Sequence, residues 1–161
     1  MHLGARSAGI DLDYERFFVY LNEHYAVNKA FIFLGFVAEN QNKYEYLKKS
    51  GFTLIFKETS KNKNGELKGN ADVDLTVFVF ENMDKFEKAI LVTSDGDFYP
   101  LVKSLRNREK MEVVLSPTKK KCSYLLKKYA CGKLRFLDPI KDYIVKTKKR
   151  PRGQNLSGRF S

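Results

Sequence analysis

Short β-type runs alternate with helix-type segments along this chain, and that order constrains the fold more than any single residue. From Asp13 to Tyr25 the positions Phe17, Phe18, Val19 and Leu21 recur with Tyr14 and Tyr25 at near-helical spacing, and Asp11 or Asp13 can cap the start. Ala30 to Phe36 is a continuous, aromatic-rich apolar run, the pattern of a strand buried on both faces. Asn42 to Ser50 reads as a short helix closed by Gly51, and Phe52 to Lys57 as a strand. After a polar loop from Thr59 to Gly69 and an ambiguous stretch from Asp72 to Asp84, a strand is expected over Lys88 to Thr93. A helix holding Pro100 in its first turn, a strand at Met111 to Leu115, a helix at Cys122 to Tyr129 and a strand at Lys133 to Leu137 follow. Alternation of this kind predicts an α/β fold with a parallel sheet covered on both faces.

The 161 residues suit one domain, and 43% hydrophobic content is enough for a core. The domain is expected over residues 1–145, and 146–161, with almost no apolar side chain, reads as a basic disordered tail. The longest apolar run, Ala30 to Ala38, falls well short of the roughly 20 residues a membrane span needs. No membrane partner is therefore expected. The first ten residues lack the apolar core of a secretory signal, which makes the cytoplasm the expected location. Cys122 and Cys131 fit neither a disulfide framework nor a zinc motif and are expected to be reduced, buried thiols. No GxGxxG or GxxxxGK[ST] follows any strand, which argues against a nucleotide-binding Rossmann-like domain.

Charge is distributed unevenly. Residues 117–161 hold 14 basic and 2 acidic side chains, so the whole net charge of +11 resides in the last quarter. Lys119, Lys120, Lys121, Lys127, Lys128, Arg150 and Arg152 are interleaved with Tyr124, Tyr129, Phe136 and Tyr143. Cations mixed with aromatic rings are what phosphate neutralisation and base stacking require, although a lysine run is also an ordinary solvated helix face.

Ligands of an open parallel sheet sit beyond the carboxyl ends of its strands. Asp95 and Asp97 lie there, directly after Ile90-Leu91-Val92-Thr93, and Gly96 between them permits a tight turn beside Ser94. Asp72 and Asp74 form a second acidic pair at the start of the preceding element. Two such groups of hard oxygen ligands on one edge would suit Mg²⁺ or Mn²⁺. Ser94, Asp95 and Asp97 could equally cap a helix and complement its dipole, and Asp72 and Asp74 could do the same for another.

GNADVDLTV, then KAILVTSDGDFYPLV and MEVVLSP, resemble the NYN domain family, in particular its LabA-like branch within the PIN-like nuclease superfamily. The resemblance runs from about Gly9 to Ile144 and also takes in GIDLDYERF. It implies a three-layer α/β/α sandwich with a central parallel sheet, and a divalent-metal-dependent ribonuclease site. By motif position Asp72, Asp95 and Asp97 take the catalytic, metal-binding roles, with Asp74 adjacent and Ser94 and Gly96 in the turn. RNA, single-stranded, is the implied partner, and self-association is compatible with it. The family also implies a helix for VDLTVFVF, which looks like a strand by propensity. One departure stands out: the opening strand with an Asp-Gly-x-Asn motif that the family carries has no counterpart here. A misplaced gene start is the preferred expectation over a true, impairing truncation. A non-catalytic RNA-binding or regulatory module of the same fold is the alternative function.

Overall fold

The computed structural model describes residues 11–57, 60–61, 67–68 and 71–145. Helix α1 (Tyr14–Tyr25) starts where Asp13 accepts the Arg16 N–H at 3.2 Å on Oδ1, so the cap read from sequence is Asp13. Strand β1 (Ala30–Gly35) leads through α2 (Gln41–Lys49) to β2 (Phe52–Lys57), which pairs with β1 in parallel. Gly51 follows α2 at φ +97, and its N–H reaches the Lys48 carbonyl at 3.0 Å, the left-handed closure that a residue without a Cβ permits. Two short strands, β3 (Ser60–Lys61) and β4 (Leu67–Lys68), pair antiparallel inside the segment expected to be a plain loop.

Helix α3 (Ala71–Glu81) occupies the segment that is ambiguous from its own residues, and is the helix that the family resemblance implies there despite the β-branched composition. Its Leu75 is buried, and Phe78 lies 5.0 Å from the Phe31 ring and 5.3 Å from the Phe33 ring of β1. Val73, Val77 and Phe80 are exposed. Apolar side chains all around the segment erase the helical periodicity, so packing on β1 decides the conformation. Strand β5 (Ala89–Val92), helix α4 (Tyr99–Asn107), strand β6 (Met111–Ser116), helix α5 (Tyr124–Ala130), strand β7 (Leu134–Phe136) and helix α6 (Lys141–Ile144) complete the chain. β6 lies between β5 and β7, all parallel.

The layers are α/β/α. On one face α1, α2 and α6 supply Phe17, Leu21, Leu47 and Ile144 against Ile32, Phe52, Val92 and Leu115. On the other, α3, α4 and α5 supply Leu75, Leu101, Leu105 and Leu126 against Phe33, Leu91 and Val114. Each such fully buried side chain contributes roughly 1.5–3 kcal/mol relative to exposure. The single central sheet expected from sequence is present as two parallel ladders, β1–β2 and β5–β6–β7. β1 and β5 do not pair with one another, yet Ile32 and Val92 share one core cluster and Phe33 and Leu91 the other, so the ladders share both faces.

Cys122 is buried as expected, whereas Cys131 is exposed, because it caps α5 in a left-handed conformation (φ 42) that leaves its side chain outside the core. No described helix is long and apolar enough to cross a membrane. The expected tail, with Arg150 and Arg152, lies outside the described residues.

Candidate nucleic-acid and metal site

The carboxyl end of β5 runs into a turn held by its own side chains. Thr93 is buried and its N–H donates to the Leu115 carbonyl at 3.0 Å, which extends the β5–β6 ladder by one residue. Its Oγ1 accepts the Asp95 N–H at 3.0 Å, and Asp95 Oδ1 accepts the Asp97 N–H at 2.9 Å. Asp95 thus caps a single 3₁₀ turn (Gly96–Phe98) that continues into α4, with Pro100 in the first turn of that helix. Phe98 is buried and anchors the turn, while the side chains of Asp95 and Asp97 are exposed. The capping role that Asp95 could play from sequence is real. It uses one of four carboxylate oxygens on the two side chains, which leaves the pair with oxygen donors facing solvent.

Helix α5 is fastened to this turn. The Ser123 N–H donates to the Ser94 carbonyl at 3.1 Å, and Ser123 Oγ accepts the Leu125 N–H at 3.2 Å as the helix cap. A Cβ at Gly96 would run into the Ser123 side chain, so a larger residue here would push Ser123 out of its present position, and glycine serves close approach rather than an unusual φ. Ser123 takes no part in the helical periodicity of the segment, which is why apolar spacing passes over it. Its signal is the type of residue, a serine directly before Tyr124-Leu125-Leu126.

Asp72 and Asp74 stand in the first turn of α3, the former half-buried and the latter exposed. Thr76 Oγ1 donates to the Asp72 backbone carbonyl at 2.8 Å. α3 follows the β3–β4 hairpin, packs on β1 through Phe78 and leads on to β5. Among the described residues, no three His, Cys, Asp or Glu side chains gather closely enough to form a group that could hold a metal ion. The pair on the turn still suits Mg²⁺ or Mn²⁺ in donor type and number. Such ions take one or two protein carboxylates and fill the remaining positions with water and substrate phosphate.

The candidate basic residues lie on and before helix α5, the helix fastened to this turn. Lys119, Lys120 and Lys121 are exposed in the connection from β6 to α5, where the Lys119 N–H donates to Asp138 Oδ2 at 2.9 Å and the Lys121 N–H to Thr118 Oγ1 at 3.2 Å. Lys127 and Lys128 are exposed on α5, and Lys128 Nζ lies 5.5 Å from the centre of the Tyr129 ring.

The amino-acid sequence matches the NYN domain family over residues 3–135. No curated protein matches it. The fold recurs in the crystal structure of a protein of unknown function from Vibrio parahaemolyticus RIMD 2210633, which is 21% identical. That likeness has a TM-score of 0.72 and covers 90% of this chain and 89% of that one.

Proposed function

The chain belongs to the NYN domain family, whose members are generally nuclease-like and act on RNA, and from that premise we propose that it hydrolyses RNA phosphodiester bonds with a divalent metal ion. The observation that carries this reading is the Asp95-Gly96-Asp97 turn, rigidly capped at the carboxyl end of β5 with both carboxylates exposed. Two like charges separated by one residue repel, and a cation relieves that repulsion. Asp95 and Asp97 would hold the ion, with Asp72 and Asp74 as further donors and Ser94 and Gly96 fixing the turn against α5. Mg²⁺ or Mn²⁺ supplies positive charge for the phosphoryl oxygens and lowers the pKa of water. Lys119, Lys120, Lys121, Lys127 and Lys128, exposed on and before α5, would neutralise flanking phosphates.

Incubation of the chain with a labelled single-stranded RNA in Mn²⁺ tests the reading: cleavage that EDTA abolishes is the expected outcome. Among the described residues no group of three metal-holding side chains is assembled, and that favours a second reading, a non-catalytic RNA-binding module. Binding without any cleavage in Mn²⁺ would establish it.

The charge distribution predicts how RNA binding responds to salt. Residues 146–161 carry six Lys and Arg and no acidic residue. If all six meet phosphates of a single strand, a chain ending at Val145 loses about 4 from the slope of log affinity against log salt. An unaltered slope would place the phosphate contacts elsewhere.

The LabA-like branch and an additional central strand belong to the same proposal. The facing edges of β1 and β5, unpaired with each other between two continuous core faces, are what one further parallel strand would complete.

A further inference from the structure

We propose that Tyr124 is a base-stacking residue that selects single-stranded RNA and seats one nucleotide beside the Asp95-Gly96-Asp97 turn. This rests on the reading above that RNA occupies that turn.

Tyr124 is 74% exposed, the most exposed large apolar or aromatic side chain among the described residues. Exposure alone would mean little, since single exposed aromatics are common on protein surfaces. Its position is what distinguishes it. Tyr124 directly follows Ser123, whose backbone N–H is fixed to the Ser94 carbonyl at 3.1 Å and whose side chain packs against Gly96. Leu126 and Ala130 of the same helix are fully buried, so α5 cannot roll away from the turn without breaking the core. The ring is therefore presented to solvent from a backbone tied to the acidic turn on one side and to the core on the other.

The neighbouring tyrosines behave differently. Tyr99 and Tyr129 are half-buried and stack on each other, with centroids 5.0 Å apart and planes inclined by 29°. Lys103 and Lys128 approach the Tyr129 ring at 6.0 and 5.5 Å, and Arg106 donates to the Tyr129 carbonyl at 2.8 Å. That pair is already occupied. Tyr124, by contrast, makes no ring contact and no side-chain hydrogen bond among the described residues, and most of its surface is open to a planar partner.

Lysines lie on either side of it in sequence. Lys120 and Lys121 precede it, and Lys127 and Lys128 fall three and four residues later, on the same side of the helix as Tyr124. An exposed aromatic ring whose helix and preceding segment carry lysines matches a base and the phosphates that flank it. A duplex cannot use such a face, because its bases are already stacked on one another, whereas a single strand can turn one base outward. Aromatic stacking also tolerates any base, so the contact selects strandedness rather than sequence.

Fluorescence anisotropy in EDTA, where cleavage does not interfere, tests the proposal on the full chain with a labelled single-stranded RNA and a duplex of equal length. Tyr124→Ala is expected to weaken single-strand binding by about 5- to 100-fold and to leave duplex binding unchanged. Tyr124→Phe should bind as the parent chain does. Tyr124→Leu keeps the helix and the apolar bulk but has no aromatic face, and should match the alanine variant. The proposal falls if the leucine variant binds single strands like the parent, or if single-strand and duplex affinities drop together. Failure of the parent chain to bind RNA at all would instead overturn the functional reading on which this one rests.

Discussion

Replacing Asp95 and Asp97 together by asparagine is expected to reduce Mn²⁺ affinity, and with it RNA cleavage, by on the order of 100-fold or more. Loss of a group that merely orients a metal ligand typically costs 10- to 100-fold, so loss of two charged ligands should reach at least the upper end of that range. Asparagine is the informative substitution because of what Asp95 does structurally. Its Oδ1 accepts the Asp97 N–H at 2.9 Å and caps the turn. An asparagine carbonyl caps about as well as a carboxylate, so the turn, the docking of Ser123 and the thermal midpoint should survive while the charge disappears. Titration calorimetry reads the affinity, gel analysis of cleaved RNA the activity, and circular dichroism the midpoint. Unchanged metal affinity would show that the pair only shapes the turn, and the ribonuclease reading would lose its central support. Asp95→Ala separates the two roles from the other side, since loss of the cap should destabilise the chain by about 0.5–2 kcal/mol whatever the metal does.

The capped turn was legible in the sequence because its determinants are local. An apolar run ending in Thr93-Ser94-Asp95-Gly96-Asp97, with Pro100 soon after, specifies strand, turn and helix start within a dozen residues, and the structure places β5, the 3₁₀ turn and α4 there. Gly51 was legible for the same reason, since left-handed closure of α2 depends on one residue. Helix α3 was not. Val73, Val77, Val79 and Phe80 favour a strand, and only the contact of Leu75 and Phe78 with β1, about 45 residues away in sequence, makes the segment helical. The reading of Cys131 as buried failed because cysteine's average burial says nothing about a residue that must cap a helix at positive φ. Fastening of α5 to the acidic turn joins Ser94 to Ser123 and likewise has no local signature. Pairing is longer-range still: no periodicity within β1 or β5 reveals that their facing edges do not meet.

Those edges lead to the second large effect. A chain in which an apolar strand ending in Asp-Gly-x-Asn is joined ahead of residue 11 is expected to be more stable and more active than the 161-residue form. β1 presents Ala30 to Gly35 and β5 presents Ala89 to Val92 as ladder edges that do not pair with each other, while Ile32 with Val92 and Phe33 with Leu91 hold the two ladders within the same core clusters. Among the described residues no strand lies between them, and one placed there would pair its backbone N–H and C=O groups with both edges. It would also bury its own side chains on both faces, so it should be Val-, Ile- or Leu-rich rather than alternating. Burial of even two such side chains contributes roughly 3–6 kcal/mol before the entropy of ordering the strand is subtracted. A net gain of 2 kcal/mol would raise the thermal midpoint by about 4–8 °C for a chain of this size. Because the strand would run parallel to β5, its carboxyl end would bring the motif's aspartate to the edge where Asp95 and Asp97 are exposed, adding the donor that the described residues do not assemble. Metal affinity and cleavage should therefore rise together, by roughly 10- to 100-fold. Calorimetric midpoints and cleavage of single-stranded RNA in Mn²⁺, compared between the two forms, decide the matter. A second extended form with Asp-Gly-x-Asn changed to Asn-Gly-x-Asn should keep the gain in midpoint and lose the gain in activity, which separates sheet completion from ligand supply. Equal midpoints in all forms would mean that the edges of β1 and β5 are satisfied without an added strand, and the two ladders would then have to be treated as the complete sheet.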